Sequence, residues 1–498
     1  MYPARQIFFV LGLSRSGCSV TEFLLAQKSL VYIYDEGNGE RLEQTIKELV
    51  QKGAKSLHRE DLSRACEVCD VLVLSPGIPI DHPIAIAFRR KGKGVIGETE
   101  LAARYLKNTM IAVTGTNGKT TVVSMLTDVL NRGGLTAKSC GNIGLPMIEC
   151  HDMAEQVAVA EISSFQLETL KSLQPHVAVI LNVSEDHLNR HYNMENYIFL
   201  KGKLLKNCTE SEFVVLNYDD AVVRSFAEKT KAQTLYFSVR ERVKGAFYEE
   251  GNLYFGKERI MSADDLPTGG LHNVQNALAV IAVAKIMGIK TSDIVAALTD
   301  FKGVKHRIEQ VAEVNGVTYI DDSKGTNVDA TIKAIAAMKK ETILLLGGKN
   351  KGYRYDALFA ALNNSKVVHT ILYGENRYVL LKAAKEQNFM SVTLCDNFDF
   401  AVRVAALRAK SGQAVLLSPA SASFDEFSGY EERGERFLEI VQSFVPKVEA
   451  PEREMGIIEA VELIQEEIEE VEEPLEIYPL FAREEEVEVV VEDEKDME

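Results

Sequence analysis

No apolar run in this chain is long enough to span a bilayer, so membrane insertion is not expected. There is no paired cysteine framework either. The seven cysteines (18, 66, 69, 140, 150, 208, 395) are irregularly spaced, as expected of reduced thiols in a cytoplasmic protein. Cys66-Glu-Val-Cys69 has no second pair beside it to complete a metal site. Met1-Tyr-Pro-Ala-Arg-Gln6 runs into a strand-like segment without signal-peptide layout. Positive charge is not in excess: 56 Lys and Arg face 73 Asp and Glu, which argues against a nucleic-acid partner. The net charge of −17 is local, because Pro451 to Glu498 holds 20 acidic and 3 basic residues and the remaining body is balanced. No solenoid-type repeat is present.

At 498 residues the length suits about three domains. Strand-like runs alternate with helical stretches to about residue 446, which predicts α/β architecture with parallel sheets throughout. The expected division is 1–97, 98–303 and 304–446. An acidic tail, 447–498, follows. Ile457 to Val471 carries apolar residues at 457, 458, 461, 464 and 468, as on one helical face. The rest of the tail is low in complexity and is expected to be disordered, serving either as a solvating extension or as a short motif for a protein partner.

The strongest local signal is Thr114-Gly-Thr-Asn-Gly-Lys-Thr-Thr121. A buried strand, Ile111 to Thr114, ends in a glycine-containing loop that opens a helix, Val122 to Leu130. Backbone N–H groups and a helix N-terminus would face an anion, Lys119 would add a point charge, and Thr120 would offer a hydroxyl to Mg²⁺. The loop is shorter than the common phosphate-loop spacing, with Gly115 three before Gly118. Val157 to Glu161 reads as a strand ending in a carboxylate suited to Mg²⁺. Val177 to Ser184 reads as another, followed by Glu185-Asp186-His187, where the imidazole would serve a magnesium site. His191 is left unassigned. Lys201, on a helix from Tyr197, is a candidate charge partner for the phosphates.

Before this loop, Ile7 to Leu13, Gly12-Leu-Ser-Arg-Ser-Gly17, a helix from Cys18 to Gln27 and the strand Leu30 to Tyr34 ending at Asp35 form a nucleotide-type βαβ unit. The middle glycine of a dinucleotide fingerprint is missing. A second strand-end turn is Ser75-Pro-Gly-Ile-Pro79. After about Val304 come His306-Arg307 and three strand-end loops: Asp321-Asp-Ser-Lys-Gly-Thr-Asn327, Gly347-Gly-Lys-Asn-Lys351 and Ser418-Pro-Ala-Ser-Ala-Ser-Phe-Asp-Glu-Phe427. Three such loops at one carboxyl edge predict a substrate-binding surface.

Together these segments resemble the Mur ligase family of ATP-dependent amide-forming enzymes over residues 5–446. The matching pieces are Thr114 to Thr121, Gly141-Asn-Ile-Gly144, Glu161-Ile-Ser-Ser-Phe-Gln-Leu-Glu168, Asn182-Val-Ser-Glu-Asp-His-Leu188 and His272-Asn-Val-Gln-Asn276. Within the family, Gly12 to Gly17 with Asp35, the Ser75 turn, the Asp321 and Ser418 loops and Arg433-Gly434 resemble members that add D-glutamate to UDP-N-acetylmuramoyl-L-alanine. An Asp-Asn-Pro-Arg motif, expected of the diamino-acid-adding members, is absent from the sequence.

The resemblance implies an N-terminal Rossmann-like UDP-binding domain, a central P-loop-type ATPase domain and a C-terminal Rossmann-like domain, acting in the cytoplasm as a monomer. It implies ATP on Gly115, Thr116, Asn117, Gly118, Lys119, Thr120 and Thr121, with Asn276 and Arg307 on the adenine nucleotide. Two Mg²⁺ would lie on Thr120, Glu161, His187 and Lys201, the last as a CO₂-derived carbamate. Ser14, Arg15, Ser16, Gly17, Asp35, Gly77 and Asn142 would hold the UDP-substrate. Lys324, Thr326, Ser423, Phe424 and Tyr430 would hold D-glutamate, and Lys349 or Lys351 would contact phosphate. The competing readings are a folylpolyglutamate synthase, which the N-terminal βαβ unit disfavours, a nicotinamide-dependent oxidoreductase, and a non-catalytic nucleotide switch.

Overall fold

A computed structural model of the chain describes residues 6–152, 156–267, 270–350 and 352–444. The expected tail helix over 457–471, the rest of the tail and Lys351 lie outside the described residues. Met1–Val445 is one compact unit built on three sheets. Among the described residues no helix is long and apolar enough to cross a membrane.

The first sheet holds β1 (Ile7–Leu11), β2 (Leu30–Tyr34), β3 (Lys55–Ser56), β4 (Val71–Leu74) and β5 (Gly94–Gly97) in the order β3-β2-β1-β4-β5, all parallel. Gly12, at φ +88°, turns the chain out of β1 into the helix Arg15–Ala26. Gly17 packs so tightly on that turn that a Cβ would lie 2.0 Å from the Gly12 carbonyl oxygen.

The second sheet holds β6 (Met110–Thr114), β7 (Ala137–Gly141), β8 (Val157–Glu161), β9 (Val177–Ile180), β10 (Phe213–Asn217), β11 (Gln233–Ser238), β12 (Gly245–Glu249), β13 (Asn252–Phe255) and β14 (Glu258–Ser262). Their order is β14-β13-β12-β11-β10-β9-β6-β8-β7. Strand β6 is buried at all five positions, hence its unbroken apolar run. It lies between β8 and β9, with Val113 beside Glu161 and Thr114 beside Ile180. The phosphate-type loop thus leaves the sheet between the acidic strand end and the histidine-bearing loop, at a switch in strand order. Behind it, the helix Lys119–Arg132 buries Val122, Val123, Leu126, Val129 and Leu130 on spacings of three and four. These meet the helix Leu271–Ile286, whose Ala277, Ala279, Ala282 and Ala284 allow close packing in one shared core.

The third sheet holds β15 (Glu309–Val314), β16 (Val317–Asp321), β17 (Thr342–Gly347), β18 (Val367–Tyr373), β19 (Val392–Leu394) and β20 (Ala414–Leu417) in the order β15-β16-β20-β17-β18-β19. Three strand-end loops of the sequence, after β16, β17 and β20, therefore emerge side by side.

The expectation of parallel sheets throughout holds only for the first. Strands β12, β13 and β14 pair antiparallel, as do β15 and β16. Two-residue turns close these hairpins. Asn315-Gly316, with φ of +52° and +76°, and Glu250-Gly251, with +45° and +80°, supply left-handed pairs at two of them, and Gly256, at +59°, opens the third.

Gly17→Ala drives a methyl group into the Gly12 turn and is expected to lower stability by about 1–3 kcal/mol, the usual scale of overpacking. Urea unfolding measures it; an unchanged midpoint would mean the turn yields.

Candidate active site

Two ammonium groups define the centre of the loop. Lys119 Nζ donates to the carbonyls of Gly115 and Thr116, each at 2.9 Å. Lys201 Nζ reaches the same Gly115 carbonyl from the helix Met194–Gly202, at 2.7 Å, and lies 3.3 Å from Thr114 Oγ1. Lys201 is 1% exposed, and burial, with the neighbouring Lys119 charge second, holds its amine well below the usual lysine range. Burial also lowers Lys119. Two desolvated amines beside the N-terminus of the helix Lys119–Arg132 suit this loop to an anion. Gly118, at φ +86°, begins the helix Lys119–Arg132, and a Cβ there would lie 2.6 Å from Asn276 Oδ1. The glycine is required both by backbone conformation and by the buried Asn276 pressed against the loop.

Thr120 Oγ1 donates to Glu161 Oε2 at 2.8 Å, and Asn142 Nδ2 donates to Glu161 Oε1 at 2.8 Å. Burial raises the Glu161 carboxyl, but Lys324, Lys119 and these two hydrogen bonds outweigh it, so the group stays ionised below its usual range. A hydroxyl and a buried carboxylate beside an anion loop are hard oxygen donors of the kind Mg²⁺ takes, with phosphate and water filling its remaining positions. The donor set therefore fits the ion expected from the sequence. His187, at φ +54°, stacks edge-on against Phe165 at 4.8 Å and lies 3.5 Å from Asp186 Oδ2. His191 has a different environment. It is 3% exposed, lies 3.0 Å from Ser164 Oγ and 3.4 Å from Glu168 Oε1, and is a buried structural histidine.

Arg307, Asn276, Asn117, Gly118, Thr121 and Lys324 line one cavity of about 570 Å³ between the central and third sheets. The Arg307 Nε is buried without a hydrogen-bond partner, so this guanidinium has donor capacity to spare. Lys324 lies over the Tyr430 ring at 4.8 Å, with Nζ 3.0 Å from the phenol oxygen. Burial pushes its amine down to about 8, Arg307 and Lys119 push the same way, and Glu161 opposes. Ser423 is buried, but Phe424 is 64% exposed. The sequence placed the two together; the chain reverses their facing after β20, and Tyr430 supplies the aromatic ring beside Lys324. Thr326 is half-buried within the Asp321–Asn327 loop, and Lys349 is exposed, with its backbone paired to Ala422.

In the first region, Asp35 accepts from Leu13 N at 2.6 Å and Gly37 N at 2.8 Å, which ties the Gly12–Gly17 turn to the end of β2. Ser14 and Arg15 are exposed and Ser16 is half-buried. The Gly77 and Ile78 carbonyls accept from Arg190 at 3.1 and 2.9 Å, while Arg190 also forms a two-pronged pair with buried Glu168. Arg190 was not singled out in the sequence, whereas Arg433 was, with Gly434, as part of the family resemblance. Arg433 is fully buried and donates to Ser323 Oγ and to the Ser323 and Ser421 carbonyls, bracing the Asp321 and Ser418 loops. A further cluster, His306, Glu309 and Asp321, brings its ligand atoms within 4.8 Å of one another, with His306 Nδ1 already 2.7 Å from Asp321 Oδ2.

The chain matches three family descriptions: "Mur ligase MurD-like, N-terminal domain" over residues 6–97, "Mur ligase middle domain" over 113–284, and "Mur ligase, glutamate ligase domain" over 306–421. It is 40% identical to a UDP-N-acetylmuramoylalanine–D-glutamate ligase of Koribacter versatilis over 441 residues, 87% of this chain and 96% of that protein. It is equally 40% identical to a ligase of the same name from Caldanaerobacter subterraneus over 438 residues, 87% of this chain and 97% of that protein. Its fold resembles the crystal structure of UDP-N-acetylmuramate-alanine ligase MurC from Thermotoga maritima, at TM-score 0.58 and 18% identity, covering 88% of this chain and 99% of that one. A MurF ligase of the same organism in complex with ADP aligns at TM-score 0.54 and 18% identity, over 84% and 94% of the two chains.

Burial, followed by the charges of Arg190 and Lys201, lowers His191 to about 4. Its unfolded counterpart titrates near 6.5, so between those values the unfolded chain binds the extra proton. Stability is therefore expected to fall as pH drops from about 6.5 toward 4, and His191→Asn should flatten that part of the profile. Denaturant titrations at several pH values measure it; an unchanged slope would refute the assignment.

Proposed function

The chain belongs to the Mur ligase family, and from that premise we propose that it joins D-glutamate to UDP-N-acetylmuramoyl-L-alanine at the expense of ATP, in cytoplasmic assembly of peptidoglycan precursors. The observation that carries this reading is a phosphate-type loop, with Lys119 and Lys201 on one of its carbonyls and Thr120 bonded to Glu161, whose Asn117, Gly118 and Thr121 line the same cavity as Arg307 and Lys324.

On this reading the chain divides into 1–97 for the UDP-substrate, 98–303 for ATP and 304–446 for the incoming amino acid. The γ-phosphoryl group of ATP passes to the alanine carboxylate, and ADP leaves. The D-glutamate amine then attacks the carbonyl carbon of the acyl phosphate. The C–O bond to phosphate breaks, the amine loses a proton, and the products are the amide, ADP and phosphate. Little covalent work falls to the protein; it positions and neutralises charge.

Lys119 and the N–H groups of the loop hold the phosphates, and Asn276 and Arg307 the adenine nucleotide. Thr120 and Glu161 would hold one Mg²⁺ and His187 a second, which shield phosphate charge when bound. Lys201 has the property a CO₂-accepting lysine needs, since only an uncharged amine attacks CO₂ and burial favours that form. Asn142, already on Glu161, faces the UDP-substrate, with Ser14 to Gly17, Asp35 and Gly77 around its nucleotide end. Lys324 and Tyr430, with Thr326 and Ser423, receive the D-glutamate carboxylates, and Phe424 stands beside Ser423 at the same acceptor site. The tail at 447–498 takes no part in the chemistry.

Phosphate release is expected only with ATP, UDP-N-acetylmuramoyl-L-alanine and D-glutamate together; release driven by a folate would replace this reading with the folylpolyglutamate one. Lys119→Ala should lose at least about 100-fold in turnover, the scale of one charge-stabilising group. Removal of residues 447–498 should leave turnover unchanged. Because Lys324 titrates near 8, its cation is lost as pH rises through that value. The KM for D-glutamate should therefore climb above about pH 8 while the KM for ATP climbs less, and a flat profile would remove Lys324 from the acceptor site.

A further inference from the structure

The loop Asn182–His187, which follows β9, is held from two sides. On the phosphate-loop side, Asn182 Oδ1 accepts the Asn117 N–H at 2.8 Å and Asn182 Nδ2 donates to the Asn117 carbonyl at 3.0 Å. Thr116 Oγ1 accepts the Ser184 N–H at 3.0 Å. From the third region, Asn327 Nδ2 lies 3.3 Å from Asp186 Oδ2 and Tyr353 Oη donates to Asp186 Oδ1. Ser184 Oγ donates to Asp329 Oδ2 at 3.2 Å, and Asn117 Nδ2 donates to the same oxygen. Asp186, Asn327 and Tyr353 are 5%, 5% and 8% exposed.

Asn327 is stiff at this point. Its Oδ1 caps the helix Val328–Ala337 by accepting the Ala330 N–H at 2.8 Å, and it ends the loop that carries Lys324 and Thr326. Burial and the Asp186 charge push the Tyr353 phenol upward, so its hydroxyl remains a donor. Asp186 Oδ2 in turn lies 3.5 Å from His187 Nε2.

We propose that Asp186 is a positioning residue on which the third region seats. Tyr353 and Asn327 hold its carboxylate, the carboxylate orients the His187 ring, and the acceptor loop and the metal-side imidazole come into register together. The sequence around Tyr353 belongs to the loop read only for its lysines, and nothing in the proposed chemistry uses its hydroxyl. This inference rests on the roles given above to His187 and Lys324.

The test uses the full chain and three variants: Tyr353→Phe, which keeps the ring, Asp186→Asn, and the double substitution. In Tyr353→Phe, amide synthesis is expected to fall about 10-fold, the worth of one hydrogen bond to a charged group. The double variant should lose no more than Asp186→Asn, since both changes break one link. Hydrogen exchange gives a readout independent of turnover. The amides of Ser184 to His187 should exchange faster in Tyr353→Phe, with those of β9, the melting temperature and the affinity for the UDP-substrate unchanged. Wild-type turnover and wild-type exchange in Tyr353→Phe would overturn the proposal. So would losses that multiply in the double variant, or a loss accompanied by lower melting temperature and faster exchange throughout. Should wild-type protein show no D-glutamate-dependent turnover, the functional reading fails, while the exchange measurement still decides whether Asp186 seats the third region.

Discussion

One carbonyl oxygen, that of Gly115, accepts hydrogen bonds from both Lys119 and Lys201. Two ammonium groups cannot share so small a buried space without cost, and desolvation lowers both. The arrangement persists because the backbone leaves no alternative. Strand β6 is trapped between β8 and β9, Gly118 turns left-handed against Asn276, and the helix behind the loop is locked into a core shared with Leu271–Ile286. The result is a site whose electrostatic demand is met by what it binds: an anion relieves the crowding that the fold imposes.

That demand organises the neighbours. Glu161 stays ionised despite burial because Lys324 and Lys119 face it, so a carboxylate on the central sheet is tuned partly by a lysine from the third. The same Lys324 is pushed down first by burial and then by Arg307 and Lys119, against the pull of Glu161. Charges from two regions thus act on one another, Lys324 on Glu161 and Lys119 on Lys324. Bonds such as Asn327 to Asp186 and Ser184 to Asp329 give that coupling a mechanical counterpart.

Much of this was legible from local pattern. The run from Ile111 to Thr121 reads as strand, loop and helix because apolar residues, glycines and hydroxyls occur in the order that a phosphate loop requires. Helix boundaries were less legible: the helix begins at Lys119 rather than Val122 because N-terminal N–H groups, not apolar spacing, mark its start. The hairpin at Asn315-Gly316 carries a recognisable turn signal, yet alternation of strands and helices around it suggested a parallel sheet. Ser423 and Phe424 are neighbours in the sequence, yet one is buried and the other exposed, because the chain turns through residues 424–426.

The sequence by itself determined which chemistry is present: a short phosphate loop, carboxylates and a histidine at strand ends, and three polar loops at one sheet edge. These signals are local, set by residue type and spacing within a dozen positions. Tertiary structure alone decided that Glu161 and the His187 loop flank β6, that Lys201 shares a carbonyl with Lys119, and that Asp186 meets Tyr353 across 167 positions. Strand order and the docking of separate sheets bring such groups together, and packing of the whole core selects both.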